Sequence, residues 1–184
     1  VHVLLPNENT IYLADSKNAP YGFKSKEEII ELSFKNTEFL LNLNCKLIIV
    51  ACNTATTNAI KELRAKYDVP FIGIEPAIKP AAIQSKTHCI GILATKGTLS
   101  SELFHKSVAK HPEVEIVEQI GHGLVQLIEN GAIDSSEMMD LLESYLQPMV
   151  EKNIDYFVLG CSHYPYLIPK IKKIITIFKI TISF

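Results

Sequence analysis

Leu47-Ile48-Ile49-Val50-Ala51-Cys52-Asn53-Thr54-Ala55-Thr56 is the stretch on which the fold turns. Four apolar residues, mostly β-branched, run into a cysteine, an amide and a hydroxyl. A helical spacing follows at Ile60, Leu63 and Tyr67. The pattern predicts a buried parallel strand whose carboxyl end delivers Cys52 to the mouth of a helix. In open α/β sheets that edge is where ligands bind. Exposed amides at a helix start favour anions, and the same field lowers a thiol pKa. A second copy stands at Tyr156-Phe157-Val158-Leu159-Gly160-Cys161-Ser162-His163-Tyr164-Pro165.

The rest of the chain repeats the alternation. A short strand is expected at residues 10–14, then a loop through Pro20-Tyr21-Gly22. Ser25 and Glu28 form a capping-box pattern ahead of a helix carrying Ile29, Leu32, Leu40 and Leu43. Further strands are read at residues 71–74, 89–94 and 114–117. Helices are read from Glu75-Pro76, over residues 99–110, around Leu124 to Glu129, from Asp134 through a bend at Pro148, and over residues 166–175. Alternating strands and helices make the class α/β with mainly parallel sheet. The final run at residues 176–184 is β-prone with no element after it, which suggests that the chain departs there from its expected continuation.

Composition narrows the function. With 184 residues the chain has length for one α/β domain or two small ones. A net charge of −2 without a basic run argues against nucleic acid or an anionic membrane as partner. No apolar run approaches the roughly 20 residues that a membrane helix needs. Four cysteines without close pairing and no signal-peptide pattern point to the cytoplasm.

Two thiols on facing strand ends suit a particular reaction. Set on opposite faces of one carbon, one takes a proton while the other returns one, which inverts a stereocentre without a cofactor. An amino-acid α-hydrogen is a weak acid, so the site must stabilise developing negative charge. Backbone amides at Asn53-Thr54 and Ser162-His163 are placed to hold the α-carboxylate. Cys45 and Cys89, in apolar surroundings, read as small buried residues.

Ala51-Cys52-Asn53-Thr54-Ala55 and Leu159-Gly160-Cys161-Ser162-His163-Tyr164-Pro165 resemble the two signatures of glutamate racemases, in the aspartate/glutamate racemase family. The resemblance runs from Leu5 to about Lys170 and takes in Pro20-Tyr21-Gly22, Gly73-Ile74-Glu75-Pro76 and Ala94-Thr95-Lys96-Gly97-Thr98. It implies two pseudo-symmetric α/β lobes with the active site between them. Residues 1–75 would form the first, incomplete lobe with Cys52, and residues 76–184 the second with Cys161. It further implies cofactor-free interconversion of L- and D-glutamate for peptidoglycan, and a homodimer.

By the same resemblance Cys52 and Cys161 carry protons, with His163 and Glu129 supporting Cys161. Pro20, Tyr21, Gly22, Asn53, Thr54, Thr95, Thr98 and Ser162 bind the amino acid, and Asp15 is a supporting acid or a turn residue. Ser162 stands where the family usually has threonine. The family's leading strand with its Asp-Ser-Gly loop has no counterpart before Leu5, and the similarity fades near Lys173. The sequence therefore resembles the middle of a racemase, and a chain of this extent is expected to be poorly stable and nearly inactive. Three alternatives stand beside this reading. One is a preference for aspartate or another amino acid within the same family, since no position reads side-chain length unaided. Another is an inactive amino-acid-binding fragment. The last is a metal site from Cys52, Cys161, His163 and an acid, disfavoured because only Cys161 and His163 are close in sequence and no C-x-x-C pair occurs.

Overall fold

The computed structural model describes residues 3–177. The β-prone run expected after residue 177 lies outside them. Two parallel sheets organise the molecule. β1 (Ile48–Val50) pairs with β2 (Phe71–Gly73), and β3 (Cys89–Ala94) sits between β4 (Glu115–Ile120) and β5 (Tyr156–Gly160). All three pairings are parallel, which requires the helical crossovers that the alternating pattern predicts.

β3 is buried along its whole length, as a central strand covered on both faces must be. The strand period of two divides its side chains. Ile90, Ile92 and Ala94 pack with Ile78, Ala81 and Phe104 from α3 (Ile78–Gln84) and α5 (Glu102–Val108). Cys89 and Leu93 face Leu124, Met138, Leu142 and Ile171 from α6 (Leu124–Glu129), α7 (Ser136–Glu151) and α8 (Ile168–Ile177). The β1–β2 sheet is covered on one face only. Ile48 and Phe71 are buried with Ile29, Ile60 and Leu63 of α1 (Lys26–Asn42) and α2 (Asn53–Lys66). Ile49 and Ile72, paired across the ladder, remain 40% and 50% exposed. The burial expected on both faces of the Cys52 strand is therefore corrected to burial on one.

Several element ends differ from expectation for local reasons. Residues 10–14 form no strand, and Tyr12 stands 84% exposed without a ladder partner. Ser25 caps α1 by accepting the Glu28 amide, while the Glu28 carboxylate turns to Lys24 and leaves the reciprocal half of the box unmade. α3 begins at Ile78, two residues beyond Pro76, so Pro80 falls in its first turn, where a missing N–H costs little. The single helix expected over residues 99–110 is two. α4 (Lys96–Leu99) is capped by the Thr95 hydroxyl, and α5 starts afresh at Ser101, whose Oγ accepts from the Phe104 amide and donates to the Thr98 carbonyl. Pro148 lies inside α7, which continues to Glu151.

Candidate active site

Both cysteines stand where a parallel strand ends. Cys52 is the N-cap residue of α2, in extended backbone, and its carbonyl accepts the Thr56 amide. Cys161 follows β5 directly, and its carbonyl accepts the Tyr164 amide in the turn that opens the next helix. Gly160 is required before it, since a Cβ there would lie 2.7 Å from the Ala94 Cβ.

The first cluster joins the two sheets. The hydroxyls of Thr54, Thr95 and Thr98 form a buried triangle, with Thr54–Thr95 at 2.8 Å, Thr54–Thr98 at 3.2 Å and Thr95–Thr98 at 3.1 Å. Thr54 comes from the first turn of α2, whereas Thr95 and Thr98 belong to the cap and body of α4. Close backbone approach holds these elements together. A Cβ on Gly97 would sit 2.9 Å from the Thr54 methyl and 3.2 Å from the Gly22 carbonyl, and one on Gly22 would sit 2.9 Å from the Thr95 Cβ. The Tyr21–Phe23 turn, reached through a cis Ala19–Pro20 bond, is thus seated against the threonines.

The second cluster is a chain. The Cys161 sulfur lies 3.8 Å from His163 Nδ1, and His163 Nε2 lies 2.5 Å from a Glu129 oxygen at the end of α6. The ring nitrogens point in opposite directions, one to a thiol and one to a carboxylate, an arrangement able to pass a proton between them. Beside it opens a cavity of about 570 Å³ lined by Tyr12, Ala51, Ile133, Ser162, His163 and Tyr166 among others. The cavity is walled by the chain neighbours of both cysteines rather than by the sulfurs.

Both thiols are pushed up, against the lowering expected of a helix start. Burial dominates at Cys52, with the Ala55 and Thr54 amides pulling the other way. At Cys161 burial and the charge of Cys52 outweigh the His163 and Tyr164 amides, and the thiol is raised to about 12.

The remaining predicted residues divide. Asn53 is buried and donates its side-chain amide to the Ile74 carbonyl at 3.4 Å. Asp15 accepts hydrogen bonds from Tyr21, Asn36 and Asn18. These outweigh the effect of its burial and hold its carboxyl below the ordinary carboxylate range. Its bonded partners lie in the loop before the Tyr21 turn, in that turn and on α1, and Cys52 is not one of them. The sequence reading passed over Asn58, buried on α2, whose side-chain nitrogen donates to the Thr54 and Gly97 carbonyls at 2.9 and 2.8 Å. Its signal was legible: an amide four residues after Thr54 lies on the same helix face. Tyr12, Ile133 and Tyr166 had no such signal.

The profile described as Asp/Glu/Hydantoin racemase matches residues 2–181. The chain belongs to that racemase family. A glutamate racemase of Ralstonia pickettii is 47% identical over 92% of the chain, and the chain spans 61% of that relative's length. Among solved structures, Escherichia coli glutamate racemase in complex with L-glutamate and the activator UDP-MurNAc-Ala superposes with a TM-score of 0.84 at 32% identity. The match covers 99% of this chain and 70% of that one. The Francisella tularensis glutamate racemase, in complex with D-glutamate, gives 0.84 at 28% identity over 99% of this chain and 68% of that one. The racemase fold is thus common to all three. Among the described residues no helix is long and apolar enough to cross a membrane.

Proposed function

We propose that this racemase interconverts L- and D-glutamate by a two-thiol mechanism that uses no cofactor, and that it supplies D-glutamate for peptidoglycan. The carrying observation is geometric: Cys52 and Cys161 each stand where a parallel strand ends, and the Thr54–Thr95–Thr98 hydroxyl triangle joins the two sheets beside them. The choice of glutamate rests on the relatives, one solved with each enantiomer. The division into lobes at residues 75/76 belongs to the same reading, with the β1–β2 sheet before it and the β3-centred sheet after it.

In this reading Cys52 acts on D-glutamate and Cys161 on L-glutamate. One sulfur, as thiolate, removes the α-proton while the opposite thiol delivers its own to the other face. A raised thiol pKa makes the rarer thiolate a stronger base, suited to a weakly acidic α-hydrogen. The threonine hydroxyls and strand-end amides stabilise the carboxylates and the developing carbanion, and exclusion of water strengthens each contact. Each turnover leaves the two sulfurs with exchanged protonation. His163 and Glu129 reset the Cys161 side by passing the proton between thiol and carboxylate. Asp15 acts through the Tyr21 turn.

Optical rotation of L-glutamate solutions tests the reading. For the complete protein the expected result is decay to zero rotation with no added pyridoxal phosphate or metal, unaffected by chelator, and loss of the decay in Cys52→Ala and in Cys161→Ala. Near-normal rates in either variant, or a chelator-sensitive rate restored by zinc, would contradict it.

A further inference from the structure

The position that the proposed chemistry leaves unexplained is Asn36. It lies in the middle of α1, where a polar residue ordinarily faces solvent. Here its side-chain nitrogen donates one N–H to Asp15 Oδ2 and the other to the Tyr21 hydroxyl, each at 3.1 Å. The Tyr21 hydroxyl in turn donates to the same Asp15 oxygen, while Asn18 donates to the other at 2.7 Å. Three polar groups therefore close a ring in which every hydrogen has an acceptor. The orientation of the amide is fixed, because its oxygen would be repelled by the carboxylate.

We propose that Asn36 is a positioning residue for the amino-acid substrate, closing with Asp15 and Tyr21 a hydrogen-bonded ring that seats the Pro20-Tyr21-Gly22 turn against Thr95. The inference rests on the proposed racemase reading. The mechanical path is short. The ring holds Tyr21, the next residue Gly22 touches Thr95, and Thr95 shares its hydroxyl with Thr54 and Thr98. A turn released from α1 withdraws the support on one side of the threonine triangle without touching either sulfur. Binding then suffers and proton transfer does not. The ring also commits the Tyr21 hydroxyl, whose proton burial and the Asp15 carboxylate hold more tightly than in a free phenol. What Tyr21 offers the site is thus its place in the turn, not an acid.

The test is a double-mutant cycle of Asn36→Leu and Tyr21→Phe on the full chain, read as KM and kcat for glutamate with calorimetric binding alongside. Asn36→Leu keeps the side chain's size and removes both N–H groups. The expected result is a KM raised about fivefold to tenfold, the loss from about one well-placed hydrogen bond, with kcat within about twofold. In the Tyr21→Phe background the same change adds less than about twofold, because Asn36 acts through that hydroxyl. Trypsin should cut faster at Lys17 and Lys24, which flank the turn, and no faster at Lys110. Equal losses in both backgrounds, a fall in kcat alone, or uniformly faster cleavage would overturn the proposal. A wild-type chain that neither binds nor racemises glutamate would instead remove the reading on which it rests.

Discussion

Cys161 shows how burial and chemistry oppose each other at a single residue. Its thiol is raised from 9.0 to about 12, chiefly by burial, so the folded protein holds the proton after an unfolded chain has released it. The contribution to stability is complete below pH 9 and is lost as pH rises towards 12, by up to about 1.4 kcal/mol per pH unit. Denaturant unfolding across that window should show a steeper loss in the wild type than in Cys161→Ala. Equal slopes would mean that the thiol is not held in this way. The neighbouring relay carries a second expectation. Glu129→Gln should lower kcat/KM by about a hundredfold, the scale of a lost proton-transfer group, with the fold and substrate binding kept. The loss must be equal for the two enantiomers, because their equilibrium constant is unity. Steady-state rates in both directions check it, and wild-type values would remove Glu129 from the relay.

At the scale of elements, the joint between α2 and α4 depends on small residues and one amide. Gly97→Ala would drive a methyl to 2.9 Å from the Thr54 methyl and 3.2 Å from the Gly22 carbonyl, a backbone atom that cannot swing aside. An overpacked joint of this kind costs about 1–3 kcal/mol. Asn58→Leu leaves the Gly97 carbonyl without its 2.8 Å partner, at a cost of about 1–3 kcal/mol for a buried unsatisfied acceptor. Thermal unfolding of each variant, with KM for glutamate beside it, checks both values; unchanged melting would show that the joint is looser than its geometry states. The sequence made much of this level legible. Four of the five strands follow from apolar runs ended by Gly, Cys or Thr, and the Ser25 cap from its spacing to Glu28, whereas β4, expected over residues 114–117, runs on through the polar Glu118 and Gln119 to Ile120. The missing strand at residues 10–14 and the break between α4 and α5 were not legible. A strand needs a ladder partner that no local pattern supplies, and the restart at Ser101 depends on its hydroxyl reaching the Thr98 carbonyl.

Across the whole molecule, the sequence disclosed where the two cysteines stand better than how their surroundings are built. Two strand-end cysteines and their following residues were visible as repeated patterns, because thiol, amide and hydroxyl side chains in succession have no use in a plain core. The ring of Asp15, Tyr21 and Asn36 was not, since Asn36 is distant in sequence and reads as part of an ordinary solvated helix face. The outer face of the β1–β2 sheet was also hidden, because an apolar run does not say how many of its faces are covered. The central claim is that two thiols on opposite sides of one carbon exchange its proton. Proton NMR of L-glutamate incubated with the protein in heavy water, combined with chiral separation at early conversion, addresses it most directly. Deuterium is expected on the α-carbon of essentially every D-glutamate formed, while unreacted L-glutamate keeps protium. D-Glutamate that retains the original proton, as a single shuttling base would leave it, would rule out two thiols acting from opposite sides.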